Sequence, residues 1–199
     1  PLPPPACGER ICLQAMLGVM GNLMTGNTCT MLQLGLNSPI VADPAARPPL
    51  TLAVVVDVSG SMAAENKLEF VKTGLGTLID GLRDGDRIAL LTYSDGVNLL
   101  FPMGDVALKR ATLRQLVASL QPTGGTNFHD GLRRGYDEVL RAFESGRQNR
   151  VIMMSDGNPT VGITGTEAII KMSRAFNSDG IGLTTVGIGT DFNPALMRT

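Results

Sequence analysis

Residues 50–62 read "LTLAVVVDVSGSM". An apolar, β-branched run, broken only by Thr51, ends in Asp57, and two serines follow, Ser59 and Ser61, one on each side of Gly60. A short strand that is apolar throughout, rather than alternating, belongs in a parallel sheet covered on both faces. A carboxylate at the end of such a strand is costly to desolvate unless something compensates its charge. Asp57 therefore asks for a partner, and the neighbouring hydroxyls indicate what kind.

Working outward, the same rhythm repeats. "NKLEFVKTGLGTLIDGL" places Leu68, Val71, Leu75, Leu78 and Leu82 on one helical face. Gly74 and Gly76 lie inside that helix, where each costs about 1 kcal/mol against alanine. Close approach to a sheet would account for them. "RIALLTY" is a strand, "SDG" a turn, and "VNLLF" an antiparallel hairpin partner at a sheet edge. Asp105 is expected to cap a helix carrying Leu113, Leu116, Val117 and Leu120. "TNFHDGLRRGYDEVLRAFES" forms the third helix, with Phe128, Leu132, Tyr136, Val139 and Phe143 inward. "RVIMMS", "TEAIIKMSRAF" and "IGLTTVGIG" continue as strand, helix, strand. The alternation defines an α/β fold: a doubly wound, mostly parallel sheet with one antiparallel edge strand and helices on both faces.

Residues 1–50 differ. They hold all three cysteines (Cys7, Cys12, Cys29) and most of the prolines, with few charges. "CTMLQLGL" alternates as a half-buried strand, "QAMLGVMGNLM" suits helix or strand equally, and "PIVADPAARPP" is a linker. The methionines between residues 16 and 31 read as core filler. The segment is an N-terminal extension that adds strands to the sheet or belongs to a second domain. An oxidising compartment would allow a Cys7–Cys12 bridge and leave Cys29 free; a reducing one would leave three thiols. The Pro-rich start and the cysteines tilt the expectation towards an extracytoplasmic or membrane-anchored setting. "ICLQAMLGVM" is too short to span a bilayer. A net charge of −1, no basic block, no Trp and 4% aromatics disfavour nucleic acid and sugar platforms.

In doubly wound sheets, ligands bind beyond the carboxyl ends of the strands, where the strand order reverses. Asp57 lies past one strand end and Asp156, in "MMSDG", past another. If these strands are neighbours, their carboxylates share one crevice. Thr126, after Gly124 and Gly125, lies at the same end. Asp57, Ser59, Ser61, Thr126 and Asp156 make a set of hard oxygens without His or Cys. Such a set suits Mg²⁺ or Mn²⁺, with Ca²⁺ fitting less well, and the cation removes the repulsion of two buried carboxylates.

"DVSGSM", "GGTN" and "SDG", in that order, resemble a von Willebrand factor type A (vWA) domain with a complete metal-ion-dependent adhesion site. The likeness covers about residues 50–199 and is closer to bacterial members than to animal adhesion proteins. It implies a Rossmann-like vWA fold over residues 51–199, lacking the family's last strand and helix. Asn193 and Pro194 read as the start of a further helix. It also implies that Ser59, Ser61 and Thr126 coordinate the metal through their hydroxyls. Asp57 and Asp156 would act directly or through water. The remaining position would accept an Asp or Glu carboxylate from a protein partner, making the domain a binding module and not an enzyme.

Two alternatives compete. One is a Mg²⁺-dependent phosphotransferase with Asp57 as nucleophile. It would want a second acid where Ser59 stands, has no "GxxxxGK" loop, and finds no convincing lysine near the site. The other is a scaffold whose metal is purely structural. His129 reads as a packing or surface histidine, and Asp95 and Asp130 as turn and cap residues. Asn127 and Asn158 would line the rim of the site.

Overall fold

A computed structural model describes residues 12–21, 28–37 and 47–189. The chain divides into two compact units, residues 1–47 and 48–199. In the first, β1 (Cys12–Gly21) pairs antiparallel with β2 (Thr28–Asn37) in a two-stranded sheet of their own. "QAMLGVMGNLM" is thus strand as far as Gly21. The half-buried reading of "CTMLQLGL" does not hold, nor does the core role of Met16 and Met31; Met24 lies outside the described residues. Leu32, Leu34 and Leu36 are 59–76% exposed, and Met16 and Met31 are exposed with them. A two-stranded sheet has no second layer of its own to cover such side chains. Cys12 is disulfide-bonded; Cys7 lies outside the described residues.

The second unit is built on the apolar run. Its elements are β3 (Leu50–Asp57), α1 (Lys67–Gly81), β4 (Arg87–Tyr93), β5 (Val97–Asp105), α2 (Arg110–Ala118), α3 (Phe128–Arg141), β6 (Gln148–Ser155), α4 (Thr166–Ser178) and β7 (Gly182–Gly187). The sheet order is β5-β4-β3-β6-β7. All pairings are parallel except β4–β5, which places the antiparallel hairpin strand at an edge. The chain winds outward from β3 to β5 and then returns to the other side of β3, so the strand order reverses between β3 and β6. Asn193 and Pro194 lie outside the described residues.

β3 is buried on both faces, as its composition requires. Leu52, Val54 and Val56 pack with α1 and α2; Ala53 and Val55 pack with α3 and α4. On α3, Phe128, Leu132, Tyr136 and Val139 are all essentially inaccessible to solvent. Each such side chain contributes about 1.5–3 kcal/mol on burial. Phe143 lies past the end of α3 and is 38% exposed, contrary to its expected inward place.

Two further expectations are corrected. Asp105 is the last residue of β5, and its Oδ1 accepts from the Ala107 amide at 2.8 Å; α2 starts only at Arg110. Gly74 and Gly76 do not face the sheet, for a Cβ on either would meet nothing within 4 Å. The close approach is made by α3 instead. A Cβ at Gly131 would lie 2.8 Å from the Tyr93 ring, and one at Gly135 2.6 Å from Val55 Cγ2.

Candidate metal centre

The apolar ladder of β3 ends in register with Tyr93 at Asp57, and the chain beyond it is laced to its neighbours. The Val58 amide donates to the Tyr93 carbonyl at 3.0 Å, and the Gly60 amide to the Gly124 carbonyl at 3.0 Å. Gly124 is left-handed, with φ +67, and a Cβ there would run into the Asp95 carboxylate. The Gly125 amide donates to Asp95 Oδ1 at 2.8 Å. The two glycines therefore let the hairpin turn hold the loop that carries Thr126.

Asp57 is fully buried. Its Oδ1 accepts from the Ser59 amide at 2.8 Å, and its Oδ2 accepts from the Ser155 hydroxyl at 2.8 Å and the Tyr93 hydroxyl at 3.0 Å. All three donors are neutral. Burial pushes the Asp57 carboxyl above its ordinary pKa, and the hydrogen bonds from Ser59, Ser155 and Tyr93 pull against that rise. Burial, with the charge of Asp57 beside it, pushes the Tyr93 hydroxyl well above its ordinary value and keeps it a donor.

Ser59 is buried and Ser61 is exposed, with their hydroxyl oxygens 3.0 Å apart. Ser61 Oγ donates to Asp156 Oδ1 at 2.8 Å. Asp156 Oδ2 accepts from Lys67 Nζ at 3.0 Å, an ion pair with side-chain exposures of 7% for lysine and 0% for aspartate. Asp57, Ser59, Ser61 and Asp156 thus form one connected chain across the ends of β3 and β6. Thr126 is buried and held instead by the loop after β6: its amide donates to Thr160 Oγ1 at 2.9 Å, and its carbonyl accepts from the Thr160 and Val161 amides.

The donor chemistry fits a small divalent cation. The 3.0 Å between the serine oxygens matches neighbouring donors on an octahedral ion with bonds of about 2.0–2.1 Å. Among the described residues no three His, Cys, Asp or Glu side chains come together. A cation here would rest on two carboxylates and hydroxyls.

Three participants escaped sequence reasoning. Ser155 carries a signal in retrospect, preceding Asp156 at a strand end. So does Tyr93, the parallel-register partner of Asp57. Lys67 overturns the expectation that no lysine stands near the site; its only signal is its place at a helix start six residues after Ser61. His129 is buried at 8%, with Nδ1 3.0 Å from Asp130 Oδ1. That hydrogen bond holds the Asp130 carboxyl below its ordinary pKa. Asn127 does not line a rim. Its Oδ1 caps α3 at the Asp130 amide, and its Nδ2 donates to the Asp95 carbonyl and to Asp130 Oδ2. Asn158 is exposed.

A doubly wound sheet with carboxylates and hydroxyls gathered at its switch point defines the class: an α/β domain with a cluster of oxygen side chains at its strand ends. The sequence profile of the von Willebrand factor type A domain matches residues 51–199, and the chain belongs to that family. It is 31% identical over 151 residues to the uncharacterized protein YfbK of Escherichia coli (strain K12), covering 75% of this chain and 26% of that protein. It is 31% identical over 150 residues to inter-alpha-trypsin inhibitor heavy chain H2 of Mus musculus, covering 72% and 16%. The chain thus spans about a quarter or less of these relatives.

Among solved structures, a von Willebrand factor type A protein from Catenulispora acidiphila superposes with a TM-score of 0.66 at 18% identity, covering 97% of this chain and 40% of that one. Proximal thread matrix protein 1 from the mussel byssus, with a zinc-occupied MIDAS motif, gives 0.64 at 19%, covering 76% and 41%. The manganese-loaded TRAP protein of Plasmodium vivax gives 0.64 at 22%, covering 76% and 61%. At these identities the likeness is one of fold.

Proposed function

We propose that residues 51–199 are a metal-dependent protein-binding module with a complete, bacterial-type metal-ion-dependent adhesion site, preceded by an extension over residues 1–50. Ser59, Ser61 and Thr126 offer hydroxyls to Mg²⁺ or Mn²⁺, and Asp57 and Asp156 serve it directly or through water. The observation that carries the reading is the continuous Ser59–Ser61–Asp156 contact, at 3.0 and 2.8 Å, across the β3–β6 switch point. Two fold neighbours hold a divalent cation, zinc in one and manganese in the other, which supports a cation in this class of site. Ser61 is exposed while Asp57 and Asp156 are buried, so a partner's approach to the cage is from the serine side. A divalent ion bound by largely neutral hydroxyls keeps an attraction for an anionic oxygen, which an Asp or Glu of a protein partner supplies.

The module binds rather than catalyses. Asp57 is enclosed by the Ser59, Ser155 and Tyr93 donors and is not free to attack a phosphoryl group. His129 is engaged with Asp130. The Cys12 disulfide supports an oxidising, extracytoplasmic setting.

The test is calorimetric titration of Mg²⁺ and Mn²⁺ into the wild type and into Ser59→Ala/Ser61→Ala, with folding followed by circular dichroism. Binding by the wild type and none by a folded double variant is expected. Equal binding by both would reject the site. EDTA-sensitive capture of carboxylate-bearing partners by the wild type, lost in a folded Asp57→Ala, separates an interaction module from a scaffold with a structural ion.

A further inference from the structure

We propose that Lys67 is a built-in counter-cation of the metal site: its ammonium holds Asp156 in the metal-free protein and competes with the divalent ion for that carboxylate. The inference rests on the metal-site reading above and deepens it by naming what sets the site's affinity.

The placement of Lys67 carries costs that its contact with Asp156 offsets. It is the first residue of α1, where the helix dipole repels a cation. It is buried, which an ammonium tolerates only when paired. It is delivered there by Glu65 (φ 53) and Asn66 (φ 56), the only non-glycine residues with positive φ among those described. Its stem runs beneath the loop after β7, where Gly189 has φ +77 and a Cβ would lie 2.8 Å from Lys67 Cε. That loop is pinned by the Ile188 amide donating to the Ser155 carbonyl at 2.9 Å. A methionine would fill this space without a charge to desolvate. The charge brings the 3.0 Å pair with Asp156.

The two oxygens of Asp156 are divided between the two cations. Oδ1 faces Ser61, on the metal side, and Oδ2 faces Lys67. A divalent ion reaching Oδ1 therefore meets a carboxylate already neutralised from behind. Lys67 relieves the repulsion between Asp57 and Asp156 when metal is lacking and weakens the attraction that metal would feel. The site binds reversibly and keeps its shape when emptied.

The experiment compares wild type, Lys67→Met and Lys67→Gln in the full chain. Mn²⁺ affinity is measured by calorimetry, and thermal unfolding in EDTA by circular dichroism. Both neutral variants are expected to bind Mn²⁺ at least about tenfold more tightly, given the strength of charge interactions at a few ångströms. They are also expected to melt earlier than wild type in EDTA and to gain more from added Mn²⁺. Lys67→Gln keeps a hydrogen-bond donor for Asp156 and serves if Lys67→Met fails to fold. Tighter binding by a variant beside a wild type that binds nothing is the strongest support. Wild-type binding that a neutral variant merely equals or loses overturns the proposal and leaves the metal site standing. No binding by wild type or by a folded variant overturns both.

Discussion

A methyl group added at Gly135 would meet Val55 Cγ2 at 2.6 Å and Val151 Cγ1 at 3.1 Å, both rooted in central strands that cannot retreat. Gly135→Ala should therefore destabilise the fold by about 1–3 kcal/mol, as overpacking does. Gly74→Ala, on the open side of α1, should stabilise it by about 0.5–1 kcal/mol. Urea denaturation of the two variants side by side checks the contrast, and equal shifts would refute it. Tyr93 belongs to the same scale. Removing its hydroxyl takes one of three neutral donors from a buried carboxylate. Tyr93→Phe should cost about 1–3 kcal/mol in EDTA, read from the same denaturation curves. The sequence displayed the carboxylates and hydroxyls of the site but not this supporting ring of donors. A tyrosine or lysine becomes part of a site only through register and backbone turns, and neither has a local pattern.

At the scale of elements, β5 is the least protected member of the sheet, an edge strand with intermediate or exposed residues throughout. Part of its attachment to α3 is Glu138, which is 3% exposed. Its Oε2 accepts from the Met103 amide at 3.3 Å, and its Oε1 pairs with Arg134 and Arg141. Glu138→Ala should accelerate hydrogen exchange at the Met103 amide and along β5 while β3 stays protected. Unchanged exchange in β5 would show that the hairpin ladder alone holds it. The strands of the sheet were legible because burial on both faces writes an unbroken apolar run. The start of α2 was not, because no side-chain cap opens it. Asp105 has the composition of a cap and spends its carboxylate on a turn. The glycines were misread for a related reason. Gly74, Gly76, Gly131 and Gly135 all interrupt helical patterns, and only the packing of α3 on β3 and β4 tells the tight pair from the open one.

At the scale of the whole molecule, the unit over residues 48–199 carries both of its hydrophobic clusters on its own, one on each face of the sheet. Produced alone, residues 48–199 should unfold in a single transition and bind Mn²⁺ as the full chain does, by circular dichroism and calorimetry. Aggregation or lost binding would mean that the extension completes the fold. The topology was readable from the alternation of elements, and with it the meeting of Asp57 and Asp156, because neighbouring parallel strands end together. The first unit resisted reading, since the leucines of a two-stranded sheet follow the same alternation whether or not anything covers them. The site crowns β3, the middle of the five strands, and β3 is tied by seven residue pairs to β4 and seven to β6. A tether pulling at Asp57 therefore drags β3 lengthwise between two parallel neighbours. The load would fall on both ladders in shear, where the bonds must yield together instead of unzipping one by one, so the domain should resist such a pull best along the strand that carries the candidate site.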